Sequence, residues 1–341
     1  MKSNQITLHD LAEKLNLSPS TISRALSNHP GIGDTTKKRV LALAKKWNFE
    51  INSVAKSLRE GKVNSIGVIV PKINRHFFSS IIGTIEMIAK QSGFHVIICQ
   101  NNDFQEIEKE NIKALIASKV AGICASIAME TTDYSHFQNV IDRSIPLVFF
   151  DRVCNTIDTH KIIVDDYSGA FKITEHLIKS GYKKIAHFGG STKINVYQNR
   201  LNGYLDALKL HGLPIHEDFI IHFDLTTESG SKYMEKLFSL KERPDSLFSA
   251  SDYAAIGGLN FLKENNLPLP PEFGLAGFSN EPFASFITPS LTTVEQYPEE
   301  IGKMVAETII SEILMKEKTM VFKTTMITPK LIVRDSTKKQ V

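Results

Sequence analysis

The chain is 341 residues long, 42% hydrophobic and 23% charged, with a formal net charge of +3. That length favours more than one domain, at roughly 100–200 residues each. A mean hydropathy of −0.10 without any long apolar run argues against membrane spans. Only Cys99, Cys124 and Cys154 occur, all in strand-like apolar contexts, so they are expected to be buried free thiols of a reducing compartment, with no disulfide framework or zinc site.

The N-terminus has no apolar signal-peptide core, which places the expected location in the cytoplasm. Thr7-Leu8-His9-Asp10 reads as a helix start, with Thr7 as N-cap and Asp10 completing a capping box. Leu8, Leu11, Ala12 and Leu15 follow at helical spacing. Ser18-Pro19 opens a second helix, Ser18 as cap and Pro19 at the first position, where its missing N–H costs nothing. Ile22, Ala25 and Leu26 turn inward, which leaves Ser20, Thr21, Ser23 and Arg24 outward; Asn28-His29-Pro30-Gly31 ends the helix. A third helix is predicted from Asp34 to Trp47, with Asp34 as its cap in the absence of a side chain on Gly33.

Two short helices around a tight turn, the second starting in small polar residues and an Arg, match a helix-turn-helix. Its second helix fits the major groove, and its first residues face the bases. Pro19, Ser20, Thr21 and Arg24 are therefore the predicted base-reading residues, with Thr7, Ser18, Ser23 and Asn28 completing the DNA-facing set, the hydroxyls suited to phosphate oxygens. Residues 1–62 hold eleven Lys and Arg against five Asp and Glu, a net +6, while the remainder is net −3. That asymmetry points the small domain toward nucleic acid. Next, Asn52 to Arg59 has the pattern of a helix too short to be stable alone. Its Leu58 beside Arg59 has the make-up of a minor-groove wedge.

These stretches, with Ser65-Ile66-Gly67 after them, resemble the LacI/GalR (lactose-repressor) family of bacterial transcription regulators along essentially the whole chain. The resemblance implies a hinge helix at 51–63 that orders on operator DNA. There two copies of a homodimer insert the leucine at position 58, and Ala55 and Arg59 accompany it in the groove. It also implies a periplasmic-binding-protein-like body with an effector, a sugar first and a purine or nucleoside second, and repression as the usual output.

From Ser65 the pattern itself becomes alternating buried strands and amphipathic helices, in two successive series. This predicts an α/β body in which each of two lobes is a doubly wound parallel sheet. The expected division is 1–50 helix-turn-helix, 51–63 hinge, and 64–334 body, followed by a short tail. Lobe one takes about 64–164 plus 293–324 and lobe two about 165–292 plus 325–334, with crossovers near Val164, Thr292 and Thr325.

Ligands in such sheets bind beyond the carboxyl ends of strands, where Phe77, Phe78, Asp151, Arg200 and Asp252 are found. Singly, each has an ordinary reading: Phe77 and Phe78 as core aromatics, Asp252 as a helix cap, Arg200 as a solvated residue. The resemblance implies effector contacts for Arg200 and Asp252 and partial pocket lining for Phe77-Phe78. Arg75-His76, however, stands where the family usually has Asn-Pro. No phosphate loop, dinucleotide fingerprint or nucleophile elbow is complete, so neither an enzyme nor a cofactor is predicted. If Leu58 is the wedge, Leu58→Ala loses specific DNA binding but keeps much of its salt-dependent non-specific binding; undiminished operator affinity in a titration would reject the wedge.

Overall fold

A computed structural model describes residues 6–47, 49, 64–270, 272–315 and 321–339. The chain forms two compact units, Met1–Val63 and Asn64–Val341. In the first unit, α1 (Leu8–Leu15), α2 (Pro19–Leu26) and α3 (Asp34–Lys46) bury Leu11, Ala12, Ile22, Ala25, Val40 and Ala44 against one another. The capping box forms as read: Thr7 Oγ1 accepts the Asp10 N–H, and the Asp10 carboxylate accepts the Thr7 N–H at 2.6 Å. Ser18 accepts the Thr21 N–H at 3.1 Å. The expected Asp34 cap does not form. Gly33 is the N-cap, with no side-chain bond, and Asp34 is already the first helical residue.

The second unit carries two parallel sheets. The first is ordered β11-β5-β4-β3-β1-β2, from Thr324–Ile327, His160–Val164, Leu147–Phe150, Gly122–Ala125, Ser65–Val70 and His95–Gln100. In β1, Ile66, Val68 and Val70 enter one core and Ile69 the other, because successive strand residues face opposite sides and both sides are covered. Helix α4 (His76–Gln91) packs there beside α11 (Pro298–Leu314), while α5 (Gln105–Ala117) and α6 (Ser135–Asp142) belong to the second face. β2 is an edge strand, and this leaves Cys99 half-buried; Cys124 and Cys154 are buried, and all three are free.

The second sheet is ordered β7-β6-β8-β9, from Ile220–His222, Ile185–Gly189, Ser246–Ser249 and Gly274–Ala276. Around it lie α7 (Asp166–Lys179), α8 (Asn195–Leu210), α9 (Thr227–Phe238) and α10 (Asp252–Glu264). The backbones of α9 and α10 approach so closely that a Cβ on Gly257 would lie 2.0 Å from the Thr227 carbonyl oxygen.

The chain passes between the lobes after Val164, between Glu295 and Pro298, and between Ile327 and Lys330. The last two passages differ from the expected Thr292 and Thr325. Thr324–Ile327 pairs along its whole length with Lys161–Val164, so it stays in lobe one. Thr293–Glu295 instead forms β10, a short antiparallel ladder with β12 (Lys330–Ile332). The segment beyond β12 is stitched into lobe two. Ser336 Oγ donates to the Leu275 carbonyl and accepts the Thr292 N–H, Thr337 meets His176 Nε2 at 2.8 Å, and Arg334 Nη2 donates to Asn280 Oδ1 at 2.7 Å.

Because the α9–α10 contact leaves no room for a methyl group, Gly257→Ala is expected to cost about 1–3 kcal/mol of stability through overpacking. Urea unfolding of the two proteins checks this.

Candidate functional site

On the first unit, the predicted DNA-facing residues gather at the start of α2. Ser20 and Arg24 are exposed, whereas Pro19, Thr21 and Ser23 are half-buried. The Ser18 hydroxyl lies 2.8 Å from those of both Ser20 and Thr21, so one cap side chain organises three hydroxyls at the helix's electropositive end. Thr7 and Asn28 are exposed; Asn28 is in the left-handed conformation (φ 54°), which lets the chain turn away after α2. Lys38, Arg39, Lys45 and Lys46 are exposed on α3. Ala55, Leu58 and Arg59 lie outside the described residues.

In the second unit, loops following the carboxyl ends of strands of both sheets converge on one cleft. Its lining includes Phe77, Phe78, Asp151 and Arg200, joined by Lys72, Arg75, Asp103, Arg152, Tyr197, Tyr253, Glu281 and Gln296. The cleft has a free volume of about 90 Å³, against the ~10–15 Å³ that one water needs. It therefore has room for a single small polar molecule.

Phe77 and Phe78 are both core residues and cleft residues: they pack edge to face with centroids 5.1 Å apart, belong to the lobe-one core and show an edge to the cleft. Asp151 takes a positive φ of 59° just past β4 and accepts the Ser126 hydroxyl at 3.0 Å; burial raises its carboxyl above the ordinary range. Beside it, Arg152 pairs with Asp103 and donates to the Tyr197 hydroxyl of lobe two at 3.1 Å.

Arg200 is 4% exposed. Its Nε and Nη2 both donate to Asp166 Oδ1, at 2.8 and 2.7 Å, and its Nη1 donates to the Ala250 carbonyl at 2.8 Å. Its guanidinium also stacks 3.7 Å from the Phe278 ring centroid. Three of the five N–H donors of an arginine are thus used to hold the fork in place. Burial lifts the Asp166 carboxyl to about 6 while Arg200 pulls it down.

The structure does not bring Asp252 to the cleft with the others. The residue is fully buried behind the wall, where its carboxylate accepts the Thr293 hydroxyl at 2.7 Å and the Glu281 N–H at 2.8 Å. Nor does it cap its helix. Ser251 is the N-cap of α10, and Asp252 occupies the first helical turn.

Gln296 is 1% exposed, lines the cleft, and makes no side-chain hydrogen bond among the described residues. A buried amide without protein partners needs some from a ligand or from water. Among the described residues, no group of three or more His, Cys, Asp or Glu side chains is placed to hold a metal ion.

A family model described as bacterial regulatory proteins, lacI family, matches residues 7–52, and one described as a periplasmic binding protein-like domain matches residues 174–337. Catabolite control protein A of Priestia megaterium is 28% identical, over 92% of this chain and 93% of its own. The ribose operon repressor of Haemophilus influenzae is 27% identical, over 97% of this chain and 98% of its own. The chain belongs to the LacI family. It is a DNA-binding regulator of transcription rather than an enzyme. A solved lac repressor dimer, bound to operator and the anti-inducer ONPF, shares its fold with a TM-score of 0.86 at 23% identity, covering 98% of this chain and 99% of that one.

Sequence reading missed Arg152, Tyr197, Gln296, Arg75 and Glu281 in this LacI-family cleft. The Asp151-Arg152 pair directly after the apolar Leu147–Phe150 was a usable signal, since charged residues at a buried strand's end seldom lie there without partners. Arg75 and Glu281 gave none, because only the folded chain opposes them.

Asp252 supplies a pH test. Burial lifts its carboxyl to about 7, with Thr293 and the Glu281 N–H opposing the rise, nearby Glu281 adding to it and Arg334 opposing it. The folded value lies above the unfolded one, so the folded state holds the proton more tightly. The associated stability is complete below about pH 4 and is lost as pH rises through about 7. Asp252→Asn is expected to flatten that part of the melting temperature–pH curve; an unchanged slope would place the proton elsewhere.

Proposed function

We propose that this protein is a repressor that binds a near-palindromic operator as a homodimer in the cytoplasm and responds to a monosaccharide-sized effector held between its lobes. The observation carrying the effector reading is Gln296, an interior amide whose available partners are in the cleft. It lies among aromatic edges (Phe77, Phe78), carboxylates (Asp151, Asp103) and a pre-oriented guanidinium (Arg200). Apolar faces with a few fixed polar groups suit a sugar ring with its hydroxyls. The cleft's small volume favours one ring over an oligosaccharide, and one relative is a ribose operon repressor.

For DNA, Ser20 and Arg24 are the residues we assign to base edges, with Pro19 and Thr21 beside them. Thr7, Ser18, Ser23 and Asn28 serve the backbone. Outside the described residues, Ala55, Leu58 and Arg59 serve the minor groove. Self-association is supported by the edge strand β2, which leaves Ile97 and Ile98 37% and 48% exposed. An isologous pair of subunits then presents two recognition helices to a two-fold symmetric site.

Selection from a random double-stranded DNA pool at near-physiological salt tests the reading. A palindrome centred on a pyrimidine–purine step is the expected product; recovery of no motif, with and without a monosaccharide mixture, would reject sequence-specific binding. On the selected site, Arg24→Ala is expected to lose about 10–100-fold in affinity by losing a base contact. Lys38→Ala should instead weaken all DNA binding and lower the salt slope by about one.

A further inference from the structure

Helix α4 begins in a way that its own lobe does not explain. A helix start leaves backbone N–H groups without intrahelical partners, and Ser, Thr, Asp or Asn at the N-cap usually accepts from one of them. Here the N-cap is Arg75, with extended backbone (φ −98°, ψ 130°) and no side-chain cap bond. A guanidinium has no acceptor to offer. Facing it from the other lobe is Glu281: burial raises its carboxyl, and the His76 N–H and the Arg75 charge draw it back down. Glu281 is 4% exposed and is held from behind, its own N–H bound to Asp252 at 2.8 Å.

Arg75, released from capping, reaches across the cleft. Its guanidinium carbon lies 3.5 Å from the centroid of the Tyr253 ring on α10, and its charge also acts on the Glu281 carboxyl. The Tyr253 ring is itself wedged edge-on against Phe283, with centroids 5.0 Å apart at 80°. Lobe one thus contributes a cation and an uncapped helix start, and lobe two a ring and a carboxylate. Each group is left without its partner when the lobes separate. Arg75, Tyr253 and Glu281 all line the cleft.

We propose that Arg75, Tyr253 and Glu281 form a clasp that sets how often the effector cleft opens. A partly desolvated cation–π contact, with the Glu281 carboxyl facing the same cation, makes the closed arrangement the favoured one. A ligand entering the cleft has to part them, so its apparent affinity is scaled by the fraction of molecules that are open. That lobe movement then reaches the DNA-binding unit rests on the regulator reading above. The clasp itself does not, and its test uses neither DNA nor effector.

Amide hydrogen exchange on the full-length protein, followed at residues 76–80, reads the clasp directly. Tyr253→Ala lies in lobe two but is expected to speed exchange at 76–80 of lobe one about tenfold. Tyr253→Phe, which keeps the ring, should stay within about threefold of the unsubstituted protein. Arg75→Gln should match Tyr253→Ala, and combining the two should add nothing further. Exchange at 76–80 that does not respond to Tyr253→Ala, with change confined to 251–262, would overturn the proposal. So would acceleration of equal size throughout lobe one, including strand 122–125, because that marks general destabilisation.

Discussion

The Asp252 carboxylate, shut away from solvent, fastens three separate stretches of chain behind the cleft. It belongs to the helix that carries Tyr253, it accepts the backbone N–H of Glu281 in the loop after β9, and it accepts the hydroxyl of Thr293 in the strand that leads to Gln296. Each stretch contributes to the cleft wall, with Tyr253, Glu281 and Gln296 in turn. A buried charge-capable group left with a missing partner is expensive, so these three elements keep one mutual spacing. Asp252 therefore acts on the cleft without lining it.

The same division between supporting and facing groups recurs across the cleft. Asp166 fixes Arg200, Ser126 fixes Asp151, and Asp103 fixes Arg152, so the polar groups a ligand meets are already oriented. Preorganised groups lose little freedom when a ligand binds. Contacts between the lobes are made differently, by stacking and single hydrogen bonds at Arg75–Tyr253 and Arg152–Tyr197. Rigid walls joined by light contacts are what a body that opens and closes as two pieces requires.

Much of this was legible in the sequence because it depends on local chemistry. The Thr7–Asp10 capping box, the Ser18-Pro19 helix start and the alternation of buried strands with amphipathic helices all follow from neighbours in the chain. The cleft was visible only in part. Phe77, Phe78, Asp151 and Arg200 stand at strand ends or helix starts, where position alone suggests a pocket. Asp252 misled, since the position that marks a pocket residue also suits a carboxylate facing the other way, and only Thr293 and Glu281 decide which it is. Pairing also fixed where the crossovers fall. Thr325 sits in an apolar–polar run without internal punctuation, and its register with Ile162 comes from a strand far away in sequence.

The segment from Lys330 to Thr337 bears on how such a chain is made. Ser336 and Thr337 are fully buried, and Arg334 reaches Asn280 beside the cleft wall. A growing chain offers its helix-turn-helix to the cell first and this segment after every residue that lines the cleft. Until it arrives, β10 has no partner strand and the Thr292 N–H no acceptor. The helix-turn-helix is thus made well before the cleft wall is complete.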